Sequence, residues 1–323
     1  MSAHLTYLEA IVVGGFQGVT ELFPVSSLGH SVLVPALVGG SWARDLNVSA
    51  PESPYLAFVV GLHVATALAL LVFFWRDWVR IIGGLLTSIR DRRADTPEQR
   101  LAWLLVLGTI PVGVAGLLLE HLFRTTLGRP IPAAVFLTIN GVVLWSGERL
   151  RRQSALAPAT VGAHDDGRPA VEPPAVTAPD DDENRIDRDR ASDERIGRIP
   201  YRRGVLIGTA QVLALLPGIS RSGVTMVAGL TRGLSHEDAA RFSFLLATPV
   251  ILAAGVLKVP DLFGPLGRGI HGQVLAGSAA SFVAAYISVR FLTRYFRTRT
   301  LNPFAIYCAA AGLVSLILLT TVR

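Results

Sequence analysis

The chain has 323 residues, 51% of them apolar and 17% charged, with a formal net charge of +6 and a mean hydropathy of +0.47. That balance excludes an ordinary soluble enzyme, and the single Cys308 excludes an internal disulfide framework or a Cys-based metal site. All basic residues but Lys258 are arginine, and many flank apolar runs, so the charge reads as membrane orientation and not as nucleic-acid binding.

The N-terminal segment lacks a basic start, and its apolar run is broken by Glu9, Gln17 and Glu21, so no cleavable signal is predicted and residue 1 reads as the start of the folded protein. Residues 5–40 read as an apolar helix, a Pro24-Val25-Ser26-Ser27 turn and a short returning helix. Neither arm reaches the roughly twenty residues that a crossing needs, which predicts a re-entrant hairpin. Gln17 and Glu21 lie four apart on one helix face; Ser27 and His30 share a face of the returning arm if Ser26 caps it.

Three spans follow, Tyr55 to Trp75, Leu101 to Leu119 and Ile131 to Gly147, and each is free of formal charge. His63 within the first reads as a packing residue and Glu148 beyond the third as interfacial. Residues 151–200 are rich in Pro, Ala and charge, with eleven acids between Asp165 and Glu194. Too little apolar surface is available there to order a segment, so a disordered cytoplasmic tether is predicted between two halves, residues 1–150 and 201–323.

The second half repeats the first. Residues 203–234 form another helix, turn and helix around Pro217-Gly218-Ile219-Ser220-Arg221-Ser222-Gly223, followed by a shorter apolar stretch from Phe242 to Leu257 and spans at Gln273 to Val289 and Phe304 to Val322. Arginines crowd residues 76–100 and 290–301, which places those loops and the tether in the cytoplasm and the C-terminus at Arg323 outside. The first hairpin then enters from outside and the second from the cytoplasm. The fold class predicted is all-α integral membrane, an inverted-topology repeat of six transmembrane helices plus two re-entrant helix hairpins.

A charge at the centre of a bilayer helix costs on the order of 2.5 to 3.5 kcal/mol, so Glu21 and Arg221 are candidate site residues beyond any pairing of the two halves. The Pro217 to Gly223 turn opens a helix whose first N–H groups lack intrahelical partners. Gly218 and Gly223 allow close approach, Ser220, Ser222 and Thr225 add hydroxyls, and Arg221 adds a bidentate fork, which together suit phosphate. The first turn is its weaker twin, with Ser27 as candidate nucleophile, His30 as candidate base, and Gln17 and Ser26 beside them.

Gln17-Gly18-Val19-Thr20-Glu21-Leu22-Phe23-Pro24-Val25-Ser26-Ser27-Leu28-Gly29-His30 and Pro217-Gly218-Ile219-Ser220-Arg221-Ser222-Gly223-Val224-Thr225 resemble the two signature motifs of the undecaprenyl-diphosphatase family, the bacitracin-resistance proteins of bacterial plasma membranes. The resemblance covers the chain apart from the tether. It implies a phosphatase that removes the terminal phosphate of a polyprenyl diphosphate and so recycles the lipid carrier of cell-wall synthesis. Glu21, Ser27, His30 and Arg221 fall on the family's reactive positions; Gln17 is a variant that the pattern permits, and Leu28 departs from a commonly polar position. The partners implied are the lipid substrate and the bilayer of the inner membrane, and a homodimer is compatible with the reading. A divalent cation, Mg or Ca, is expected to neutralise the diphosphate, with Glu21 as its protein ligand. The rival reading is a secondary transporter or flippase that holds a phosphate-bearing lipid without cleaving it; a nucleophile beside a base speaks for chemistry.

Overall fold

The computed structural model describes residues 5–46, 54–156, 182–264 and 269–321, and these are helical throughout apart from short connections. Helix α1 (Tyr7–Thr20) starts at a capping box in which the Thr6 hydroxyl accepts from the Glu9 N–H and the Glu9 carboxylate accepts from the Thr6 N–H at 2.9 Å. Glu9 is thereby satisfied at the helix start. A turn through Phe23–Ser26 leads to α2 (Ser27–Val38), followed by the short α3 (Gly40–Asp45).

Helix α4 (Pro54–Phe73) bends by 84° into α5 (Trp75–Asp91). The arginine-rich stretch expected as a loop is therefore mostly helix. Its exposed Val79, Ile82, Leu86 and Ile89 recur at helical spacing, which gives α5 an apolar stripe suited to lying along a membrane surface. After α6 (Pro97–Leu127) and α7 (Pro130–Leu156) come α8 (Asp182–Gly197) and α9 (Tyr201–Thr209); α9 runs on as a 3₁₀ turn over Ala210–Leu215. The break at Leu216–Ser220 leads to α10 (Arg221–Leu230), and α11 (His236–Phe263), α12 (His271–Thr298) and α13 (Asn302–Thr321) complete the fold. Helices α6, α7, α11, α12 and α13 are long and apolar enough to cross a membrane, and the bent α4–α5 pair raises the number of candidate spans from five to six. As far as they are described, the six apolar stretches expected from the sequence fall on helices, with Tyr55 to Trp75 broken at Phe74.

Packing is strongest between α1 and α12, between α7 and α13, and between α4 and both α11 and α12; α9 packs on α6. Two crossings are set by glycine. A Cβ on Gly14 would sit 2.2 Å from the Gly277 carbonyl oxygen, and one on Gly208 would sit 2.2 Å from that of Gly108. Between lipid-facing helices, where hydrophobic drive is small, such close backbone approach supplies the contact.

The expectation of a tether without structure over 151–200 is corrected at its C-terminal end: α7 continues to Leu156, residues 157–181 lie outside the described residues, and residues 182–197 form α8. Ionic contacts hold α8 in place together with Ile196, which is fully buried in the core. Buried Arg241 of α11 donates to Asp77 at 2.9 Å, to Asp189 at 2.9 Å and to Asp193 at 2.8 Å. Asp238 accepts from the Arg195 fork and from Ser192, and Arg100 donates to the Gly197 carbonyl at 2.6 Å. Burial pushes the carboxyls of Asp189 and Asp193 above the usual carboxylate range while Arg241 opposes it. Such a cluster fixes the position of α8 more than it adds net stability, because desolvation offsets much of the attraction.

Candidate active site

The two helix breaks meet inside the bundle. Ser26 caps α2 from a left-handed backbone conformation (φ 69°), a strained choice for a residue with a side chain. Its hydroxyl accepts from the Gly29 N–H of its own arm and from the Gly218 N–H of the other break, both at 3.2 Å. Gly218 has φ 113°, and a Cβ there would lie 2.5 Å from the Ala133 carbonyl oxygen, so the position requires glycine. Asn140 of α7, fully buried, ties the turns together: its Nδ2 donates to the Pro24 carbonyl at 3.1 Å and its Oδ1 accepts the Ser220 N–H at 3.0 Å.

This junction brings Glu21, at the end of α1, to Arg221, at the start of α10. Arg221 Nη2 donates to Glu21 Oε1 at 2.7 Å, and its Nη1 donates to the Ala247 carbonyl at 3.1 Å. Glu21 Oε2 accepts from Ser27 Oγ at 2.5 Å and from Gln17 Nε2 at 2.9 Å. The i, i+4 spacing of Gln17 and Glu21 thus does what the sequence implies, and Ser27 joins them from the returning arm.

His63 belongs to this cluster, contrary to its reading as packing. Its Nε2 lies 3.5 Å from Glu21 Oε2 and 3.4 Å from Gln17 Nε2, while Nδ1 bonds the Val59 carbonyl at 2.8 Å. With Nδ1–H committed to a carbonyl, Nε2 is the ring nitrogen that faces the cluster. His30 takes the opposite course. Its Nδ1 bonds the Ser26 carbonyl at 2.7 Å, its Nε2 bonds the Tyr307 hydroxyl at 2.8 Å, and its ring stacks on Tyr307. The Ser27 hydroxyl is given to Glu21, so the expected Ser27–His30 pair is not formed. Ser27 is the first residue of α2, and its side chain reaches across the turn, which helical spacing alone does not reveal.

A cavity of about 320 Å³ opens onto Glu21, Ser27, His63, Ser220 and Arg221, with Lys258 of α11 also on its wall. Elsewhere the lining is mostly apolar, including Leu28, Val59, Val112 and Val250. The hydroxyls of Ser222 and Thr225, expected at the phosphate, bond the Phe23 and Arg221 carbonyls at 3.2 and 2.7 Å instead. Ser220 caps α10 by accepting the Gly223 N–H at 3.2 Å. Glu148, expected at an interface, is buried and accepts from His236 at 2.7 Å.

The residues present do not fit a cation held by the protein. No group of three His, Cys, Asp or Glu side chains among the described residues is placed to hold a metal ion, and both Glu21 oxygens are already engaged, one of them by a guanidinium whose charge opposes a metal ion. In this arrangement Glu21 is a hydrogen-bond acceptor for Ser27 and Arg221.

A family model described as bacitracin resistance protein BacA matches residues 10–314. An undecaprenyl-diphosphatase of Mycolicibacterium paratuberculosis is 70% identical over 98% of this chain and 98% of its own. An undecaprenyl-diphosphatase 1 of Frankia casuarinae is 54% identical over 95% and 96% of the two chains, and an undecaprenyl-diphosphatase 2 of Chromobacterium violaceum is 40% identical over 96% and 98%.

Proposed function

The chain belongs to the bacitracin resistance protein BacA family, and we propose on that footing that it hydrolyses undecaprenyl diphosphate to undecaprenyl phosphate and inorganic phosphate. The reaction returns the lipid carrier to cell-wall synthesis and underlies bacitracin resistance. The observation that carries the reading is the contact of Ser27 Oγ with Glu21 Oε2 at 2.5 Å beside Arg221, at the wall of an otherwise apolar cavity. A binder or carrier of phosphate needs the arginine; it has no use for a hydroxyl aligned on a carboxylate.

In the proposed reaction the terminal phosphate of the substrate takes over part of the Arg221 fork, with Lys258 and the start of α10 adding positive potential. Ser27 passes its proton to Glu21 as its oxygen attacks the terminal phosphorus. The bond to the bridging oxygen breaks, and undecaprenyl phosphate departs with the electron pair. Water then attacks the phosphoserine, giving its proton to the Glu21–His63 pair, and Ser27 recovers its hydrogen as phosphate leaves. His63, with Nε2 toward Glu21, is the imidazole at the reacting end; His30 is a positioning residue that holds the Ser26 cap. A divalent cation, Mg or Ca, would neutralise charge on the diphosphate; the positive charge that this chain itself supplies comes from Arg221 and Lys258.

We further read the fold as an inverted repeat. Helix α1 against α12 is matched by α9 against α6, each at a glycine crossing, and α7 pairs with α13 across the centre. The hairpins α1–α2 and α9–α10 are then re-entrant, six helices span the inner membrane, and the arginine-rich residues 76–100 with α8 lie on the cytoplasmic side. Residues 1–150 and 201–323 are the two repeat units. Purified protein in detergent, given polyprenyl diphosphate and assayed for free phosphate, tests the reaction apart from transport, because micelles have no compartments. Binding without phosphate release would favour a carrier.

A further inference from the structure

A second cavity, of about 480 Å³, lies at the arginine-rich end of the bundle, where α4 bends into α5 beneath α8. Arg76, Arg80, Arg185 and Arg190 line it, against Asp77 and Asp189. Both acids are already neutralised: Asp77 accepts from Arg80 and Arg241, and Asp189 pairs with Arg241 at 2.9 Å and Arg185 at 3.6 Å. Arg76 and Arg190 have no carboxylate partner among the described residues. Arg80 Nη1 is buried and has no acceptor there either. A buried guanidinium nitrogen without an acceptor is costly, and an oxyanion relieves it. The wall is also amphiphilic, because Val72, Trp75 and Val79 line the same cavity and stay 51%, 56% and 64% exposed on the outside of the bundle. Tryptophan at that position is typical of the boundary between headgroups and acyl chains.

We propose that this cavity binds the phosphate-bearing headgroup of an anionic phospholipid, with the guanidinium groups on the phosphate and the acyl chains along Val72, Trp75 and Val79. The site is separate from the cavity at Ser27, and shares none of its lining residues. It gives α8 a second function, since Arg185 and Arg190 close the site from above: the segment held by Arg241 completes a lipid pocket that α5 alone leaves open. The proposal rests on the reading of this end of the bundle as a membrane surface, and does not depend on which reaction occurs at Ser27.

The test is native mass spectrometry of the full purified chain in detergent, with phosphatidylglycerol or phosphatidylcholine added. Wild type is expected to retain phosphatidylglycerol preferentially, and Arg76→Gln with Arg190→Gln to weaken that retention about tenfold or more. Neither arginine pairs with a described carboxylate, so phosphate release from polyprenyl diphosphate in detergent is expected to survive. An Arg202→Gln and Arg203→Gln pair on α9 removes the same charge elsewhere and is expected to leave retention intact. Equal loss in that control, equal retention in the first pair, or equal affinity for both lipids would overturn the proposal. Displacement by excess inorganic phosphate would replace the lipid with a free anion. As a readout on the unmodified chain, a photoactivatable phosphatidylglycerol is expected to label peptides holding residues 75–80 and 185–190; labelling confined to other helices would also overturn it.

Discussion

Asn140 is the residue on which the junction of the two helix breaks depends, and Asn140→Leu isolates its contribution. The substitution keeps the branched side-chain shape and removes both ends of the bridge, so the Ser220 N–H is left buried without its partner at 3.0 Å and the Pro24 carbonyl keeps only the weak Cys308 Sγ donor at 3.6 Å. The stranded N–H costs about 1 to 3 kcal/mol and the weakened carbonyl adds to it, against a total stability on the order of 5 to 15 kcal/mol. The effect on activity is expected to exceed the loss of folded protein, because Ser220 caps the helix that presents Arg221, and Pro24 leads the turn that presents Ser27. A shift of about 1 Å between them lowers the rate about a hundredfold. Thermal unfolding in detergent measures the first quantity and phosphate release per folded molecule the second. Asn140→Leu with wild-type melting and wild-type turnover would refute the reasoning, since it would mean that the breaks hold each other without the bridge.

His63→Leu is expected to slow turnover about 10² to 10⁴-fold with little loss of melting temperature, the mark of a proton-transfer group. His30→Leu is expected to lower melting temperature together with turnover, and Tyr307→Phe to reproduce part of that loss; unchanged stability in His30→Leu would return His30 to the chemistry. Deleting residues 157–181 is expected to leave activity within a few-fold, whereas Arg241→Met strands the Asp77, Asp189 and Asp193 carboxylates and is expected to destabilise by about 3 to 5 kcal/mol, read as proteolysis of α8. Arg221→Lys keeps the charge and loses the fork to Glu21 and Ala247, so turnover is expected to stay well below wild type; full turnover would reduce Arg221 to a point charge.

Much of this arrangement is legible in the sequence. Five of the apolar runs give helices long enough to span and the sixth gives the bent α4–α5 pair, and the two Pro/Gly/Ser breaks mark where helices stop short. Charges in segments otherwise fit for lipid mark Glu21 and Arg221, which do meet. What the sequence hides has a common physical origin. Asn140 and His63 are single polar residues in apolar runs, and their partners lie 116 and 46 positions away, beyond any local spacing rule. The cost of burying an unpaired amide or imidazole is the signal that points to them, as it does for Glu21. Segment α8 eluded a count of apolar area because carboxylates and a buried guanidinium order it beside a single buried apolar anchor, Ile196. The Ser27–His30 spacing misled because it gives positions around a helix axis, while the strained Ser26 cap decides where the first side chain of α2 turns.

The most direct measurement of the phosphatase mechanism is rapid acid quench of the purified protein during turnover of polyprenyl diphosphate labelled in its terminal phosphate. Label is expected as phosphoserine in the peptide containing Ser27, with none in Ser27→Ala, which is expected to release no phosphate. Label found only as inorganic phosphate at every time point, with Ser27→Ala still turning over, would contradict attack by Ser27 and leave Glu21 and Arg221 to act on water.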